Sequence, residues 1–353
     1  MELSPIVRPP LSPAQARLVD WLAAVVRDDE APLEPLDDEL LEAVCSARLE
    51  ALVSQRGSRD ERLRRAAVEA FARTTAVVQA SARVCELLRS ADVPCVTLKG
   101  PALAVRYWGD ISLRASRDVD VLVAPDAVPR AREALAAAGF APVEDYPAWF
   151  QRGWHFHLTF RGDAGVPVEL HWDLLPRELG RLPVVAIVAE PDEVACESHT
   201  LPALSPAWQP LAAAAHAFVH SFPLRELVDM AFVARRLTTA EWLVAVDRAA
   251  AAGVGSLLYY GVAASASLLG WEPPVGLSRL RPGAGRDALV RRYLAALPVY
   301  EGLSPRMHQV TVVVGPLVAG SPGRWVCGLP RSMTRRPFLA RRLDRWAGGR
   351  RGR

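Results

Sequence analysis

The chain has 353 residues and carries 42 Lys+Arg against 39 Asp+Glu, a formal net charge of +3. That near-balance gives no reason to expect bulk nucleic-acid binding. Five scattered cysteines without CxxC spacing read as free thiols rather than as a disulfide frame or zinc site, and no apolar run reaches the roughly 20 residues that span a bilayer.

The N-terminus, Met1-Glu2-Leu3-Ser4-Pro5, has no basic n-region or apolar h-region, so the cytoplasm is the expected location. Residues 1–92 read as a helical region. Ser12 and Ser58 are candidate caps, and Leu40, Val44, Ala47 and Ala51 recur at three- and four-residue spacing. Residues 93–182 change texture and predict an α+β core. Strands are expected at 95–98, 118–123, 156–160 and 166–172, with helices at 101–107 and 126–138, the second closed by Gly139.

Residues 183–206 are proline-rich and read as a linker. A helical domain is expected over 207–270, with helices at 207–220, 224–237, 239–252 and 254–269. The C-terminal region, 271–353, holds an apolar stretch at 310–319, interrupted by Gly315 and Pro316, that reads as buried. It ends in an arginine-rich tail from Arg331 to Arg353, which reads as a solvated helix face.

Within the core, Lys99 is the one lysine among 42 Lys+Arg side chains, and the chain has no asparagine, a bias expected of a GC-rich genome. A lysine kept against that drift suits a demand arginine meets poorly. Its compact ammonium on a flexible stem reaches a phosphate oxygen where a planar guanidinium needs fork-shaped room. Gly100-Pro101 follows at the turn into a helix.

Asp118 and Asp120 sit at i and i+2 of an apolar strand and therefore point to one face. Two such carboxylates repel each other unless a cation lies between them, and a hard divalent ion such as Mg²⁺ accepts oxygen ligands of this kind. An Asp-x-Asp alone is more often a turn or an exposed strand end. Glu169, in the alternating run Val168-Glu169-Leu170-His171-Trp172, offers a third carboxylate. Three carboxylates around two metal ions can clamp the attacking and leaving oxygens of a phosphoryl displacement. Arg114, Ser116 and Arg117 precede the acidic strand and can line a phosphate path. His171 shares the strand face of Glu169, where it either orients that carboxylate, touches a phosphate, or packs as an ordinary core histidine.

The run Val96-Thr97-Leu98-Lys99-Gly100-Pro101, then Arg114-x-Ser116-x-Asp118-Val119-Asp120, then Val168-Glu169-Leu170-His171-Trp172 resembles a poorly characterised bacterial nucleotidyltransferase family of the DNA polymerase beta superfamily. Ala215-His216-Ala217-Phe218-Val219-His220 and Arg225-Glu226-Leu227-Val228-Asp229 resemble its downstream helical signature. The resemblance implies a small mixed sheet with flanking helices, NTP and two Mg²⁺, and transfer of a nucleoside monophosphate to an acceptor hydroxyl, on a small molecule or a protein, with loss of pyrophosphate. It implies Asp118, Asp120 and Glu169 as metal ligands and catalytic groups, and Lys99, Gly100, Arg114, Ser116 and His171 as nucleotide contacts. It also implies a genomic setting near biosynthetic gene clusters.

One departure is visible. The wider superfamily has a Gly-Ser pair where this chain has Lys99-Gly100. A nucleotide- or partner-binding accessory protein that keeps the fold without turnover is therefore the alternative. His216 and His220 stand i,i+4 on one helix face without the glutamate of a zinc-protease motif. They read as interhelix or acceptor-pocket groups, and Asp229 as a partner for one of them or for Arg225.

Overall fold

The computed structural model describes residues 11–29, 32–143, 156–162, 165–175, 181–295 and Val318. Cys327, the 310–319 stretch as a whole and the arginine-rich tail lie outside them. Among the described residues no helix is long and apolar enough to cross a membrane.

The N-terminal region is helical as its periodicity predicts: α1 (Pro13–Val26), α2 (Asp38–Ser46), α3 (Glu50–Arg56) and α4 (Glu61–Ser90). Ser12 caps α1 in a reciprocal pair with Gln15, with Pro13 at the first helical position. Ser58 is not the cap of α4. Asp60 takes that role, its carboxylate accepting from the Arg62 backbone N–H, while the Ser58 hydroxyl accepts from Asp60 N–H one step earlier. The 30 residues of α4 extend about 45 Å, enough to cross the whole sheet.

The core is a mixed sheet built from β1 (Cys95–Thr97), β2 (Val119–Val123), β3 (Ala141–Pro142), β4 (His157–Arg161), β5 (Pro167–His171), β6 (Pro191–Cys196) and β7 (His199–Leu204). Their spatial order is β3-β4-β5-β2-β1-β7-β6. Between β1 and β2 lie α5 (Pro101–Leu103), which runs on as a π-helical turn to Trp108, and a 3-10 turn at Ile111–Leu113. After β2 comes α6 (Val128–Ala137), ended as expected near Gly139, whose φ of +87° suits a residue without a Cβ. The fold class is thus the expected α+β with a mixed sheet and flanking helices.

Residues 183–206 depart from the expected linker. They form α7 (Val184–Ala189) and the β6–β7 hairpin, and β7 pairs parallel with β1 through Thr97 and Ala203. The prolines are tolerated because they fall at strand starts or where the missing N–H is not needed by the ladder, as at Pro191 and Pro202. The remaining helices follow closely the predicted ones: α8 (Gln209–Val219), α9 (Leu224–Arg236), α10 (Thr239–Ala251) and α11 (Gly255–Leu269), then α12 (Ala284–Ala295).

Strand parity decides what the site contains. In β2 and β5, Val119, Val121, Val123, Val168 and Leu170 are buried in one core with Val77, Val84 and Leu88 of α4 and Leu135 of α6. The alternate residues Asp120, Leu122, Glu169 and His171 must then face the opposite side, where Leu122 joins the larger core shared with α8, α9 and α11. The apolar pattern that seats α4 therefore drives the polar residues into the space between sheet and helices.

Candidate active site

The parallel ladder between β2 and β5 sets Asp120 opposite Glu169 and Leu122 opposite His171. The antiparallel ladder between β5 and β4 sets His157 opposite His171 and Thr159 opposite Glu169. Asp120, Glu169, His157 and His171 form the floor of a cavity of about 210 Å³, walled by α8 and α9. Lys99 enters from the end of β1, because Leu98 N–H still donates to the Asp120 carbonyl at 3.1 Å and carries the chain alongside β2.

Asp120 is 4% exposed. Its Oδ1 lies 3.3 Å from Lys99 Nζ and 3.2 Å from His171 Nε2, and its Oδ2 is buried with no hydrogen-bond partner. Burial alone would raise this carboxyl's pKa, but the Lys99 charge and the His171 contact outweigh it and hold it well below the carboxylate range. His171 Nε2 also lies 3.3 Å from Glu169 Oε2. Burial pulls His171 down, yet its two carboxylate partners raise it above the ordinary histidine value. Asp118, half-buried one residue before β2, is pushed up by burial and by the neighbouring Asp120, with Lys99 opposing.

The helical wall answers with a chain of polar groups. His216 Nε2 on α8 is 3.4 Å from Lys99 Nζ and 3.5 Å from Glu226 Oε1 on α9, and Arg225 Nη2 donates to the same Glu226 oxygen at 3.0 Å. Burial first, and the Lys99 charge second, push the His216 pKa down to about 3. The turn between the two helices places Ser221 and Phe222 at φ of +69° and +57°. It closes with Phe222 N–H on the Ala217 carbonyl.

The structure brings together Lys99, Asp120, Glu169 and His171 on the cavity, with Asp118 beside them. Gly100 and Ser116 are neighbours of each other: a Cβ on Gly100 would stand 3.9 Å from Ser116 Oγ, and that buried hydroxyl has no hydrogen-bond partner. Arg114 is a correction. Instead of lining a phosphate path, it is 2% exposed and bonds Asp229 through Nε and Nη2, each at 2.7 Å. Asp229 also accepts from Trp108 Nε1 at 2.9 Å, so it pairs with neither the histidines nor Arg225. The reason is burial: a fully desolvated guanidinium needs a bidentate carboxylate, and α9 supplies one.

Metal-type ligands cluster differently from the expected triad. Among the described residues, the one group of three such ligand atoms within 4.8 Å of one another is His157, Glu169 and His171. Asp118 and Asp120 stand outside it, Asp120 being drawn to Lys99 and His171. Groups that the sequence reasoning missed include the pairing of Glu226 with His216, and Arg48, which rises from the turn between α2 and α3. Arg48 is half-buried, and burial together with the charges of Arg225 and Arg117 pushes its pKa down. His216 and Glu226 both fall in the downstream helical signature, but nothing local in either run names the other as its partner, and no motif marks Arg48.

Over residues 36–270 the chain matches the family model described as an uncharacterised nucleotidyltransferase. The solution structure of the antibiotic-resistance factor ANT(2'')-Ia is similar at 12% identity, covering 50% of this chain and 91% of that chain, with a TM-score of 0.35. No curated protein matches the chain.

Proposed function

This chain belongs to the family of uncharacterised nucleotidyltransferases, and from that premise we propose that it is a metal-dependent enzyme moving a nucleoside monophosphate from an NTP to an acceptor hydroxyl, with release of pyrophosphate. The observation that carries this reading is the in-register pairing of Asp120 with Glu169 at the floor of a cavity that also receives Lys99. A folded chain does not bring carboxylates together on a buried face without a cationic counterpart in view.

The oxygen donors of the three carboxylates suit a hard divalent ion, while among the described residues the ligand atoms that cluster are those of His157, Glu169 and His171. Asp120 Oδ2 is buried and makes no hydrogen bond, and Asp118 and Glu169 lie close enough for each to feel the charge of Asp120. Asp118, Asp120 and Glu169 would hold Mg²⁺, two ions in the reading that the family resemblance implies. Bound there, the metal supplies Lewis-acid charge for the phosphoryl oxygens and the departing pyrophosphate.

The chain's own groups do the rest. Lys99 offers a point charge to the triphosphate, and the unpartnered Ser116 hydroxyl beside Gly100 offers a donor to a phosphate oxygen. Arg48, Arg117 and Arg225 raise the local positive potential toward a polyanion. Glu169 is held below the ordinary carboxyl value, with His171 contact outweighing its burial, so it is ionised at neutral pH. It accepts the acceptor's hydroxyl proton as the new O–P bond forms and the bond to pyrophosphate breaks. His171 orients both Asp120 and Glu169 through one nitrogen.

The acceptor is a small molecule or a protein hydroxyl, with no specific nucleic acid. The deciding experiment is mass spectrometry of candidate acceptors after incubation with each NTP and Mg²⁺, paired with pyrophosphate release. Nucleotide-dependent mass addition supports transfer. Tight Mg²⁺-NTP binding with no product across the panel would replace it with the accessory-protein reading.

A further inference from the structure

We propose that His157, Glu169 and His171 form a binding site for a divalent ion of the zinc class, one that prefers imidazole nitrogen and does not require nucleotide to bind. His157 and His171 are cross-strand partners on β4 and β5, with ring centroids 4.9 Å apart. Glu169 shares their sheet face two residues before His171. The ligand atoms of the three lie within 4.8 Å of one another.

One of these separations already has the value that a metal demands. His171 Nε2 and Glu169 Oε2 are 3.3 Å apart, and two ligands held about 2.0–2.1 Å from a tetrahedral ion stand roughly 3.4 Å from each other. With all three ligand atoms within 4.8 Å of one another, seating His157 requires closing by at most about 1.4 Å, within reach of a χ adjustment. The face opens into the cavity, which leaves room for a fourth ligand or a substrate oxygen. A further observation points the same way: Asp120, 4% exposed, has a buried Oδ2 with no hydrogen-bond partner, and its Oδ1 contact of 3.2 Å with His171 Nε2 is one that the ion would replace.

The donor set selects the ion. Two imidazoles and one carboxylate suit zinc-class metals, whereas Mg²⁺ takes oxygen ligands and retains water. This site shares Glu169 with the transfer reading but rests on the imidazoles, and its test contains no nucleotide, so either can fail without the other.

The test is isothermal titration calorimetry of chelator-stripped full-length protein with Zn²⁺ alone and with Mg²⁺ alone. Zn²⁺ is expected to bind one equivalent at least tenfold more tightly than Mg²⁺. His157→Ala is expected to weaken Zn²⁺ by at least tenfold, and His157→Gln serves if the alanine variant melts differently without metal. His220→Ala addresses the nearby i,i+4 histidine pair and is expected to leave Zn²⁺ affinity unchanged. Equal affinity for both ions, no loss in the His157 variants, or loss in His220→Ala instead would each overturn the proposal.

Discussion

Lys99 Nζ lies 3.3 Å from Asp120 Oδ1 and 3.4 Å from His216 Nε2, so the chain's one lysine bridges the carboxylate floor and the helical wall. A guanidinium placed there must fit a planar fork into a gap shaped for a single ammonium. Lys99→Arg is therefore expected to weaken Mg²⁺-NTP binding about tenfold although charge is kept. Calorimetry checks this, and unchanged affinity would make the position incidental.

Asp120→Asn keeps shape and burial but removes the charge that holds Lys99 and His171 in place. Pyrophosphate release should fall by at least about 10–100-fold, the range seen when groups that orient a metal site are lost. The fold, read by circular dichroism, should persist. Turnover like that of the parent chain, in this variant and in Asp118→Asn, would remove the transfer reading.

Arg114 and Asp229 are both nearly fully buried and bonded at 2.7 Å. Removing one partner strands a charge without water, so Arg114→Ala is expected to cost about 3–5 kcal/mol. Arg114→Met combined with Asp229→Leu should recover much of that loss, because an apolar pair carries no desolvation cost. Urea unfolding of the three proteins measures both.

Gly100 has φ of +71° and ψ of −141°, yet a Cβ there meets nothing closer than Ser116 Oγ at 3.9 Å. The cost of Gly100→Ala is then backbone strain rather than collision, about 1–3 kcal/mol. A loss below a few tenths of a kcal/mol would show that the turn relaxes freely.

His216 has its pKa pushed down to about 3 by burial and by Lys99, with Glu226 opposing and His220 adding to the effect. The folded chain keeps it neutral where the unfolded chain, near the ordinary value of about 6.5, takes a proton. It costs nothing above about pH 7, and stability is lost as pH falls from about 6.5 toward 3, by up to about 1.4 kcal/mol per pH unit. His171 acts in the opposite sense. Its raised value adds stability below about pH 6.5 that is lost as pH rises through the folded value. Comparing the chain with His216→Gln isolates one group: the variant should lose stability less steeply between about pH 6 and 4. Identical slopes would show that His216 is not held neutral.

What the sequence determined by itself is what local periodicity can encode. Alternation placed Asp120 and Glu169 on strands with their apolar neighbours facing the other way, and three- and four-residue spacing marked α8 to α11 nearly to their ends. The lone lysine and the three carboxylates were legible because their chemistry is unusual on apolar strands. What only the tertiary structure decided are pairings between distant elements. Arg114 meets Asp229 115 positions away, Lys99 meets His216 117 away, and the proline-rich 191–204 segment joins the sheet beside β1. Desolvation explains these outcomes: a buried charge must find a partner wherever the fold offers one, and no pattern within its own segment names that partner.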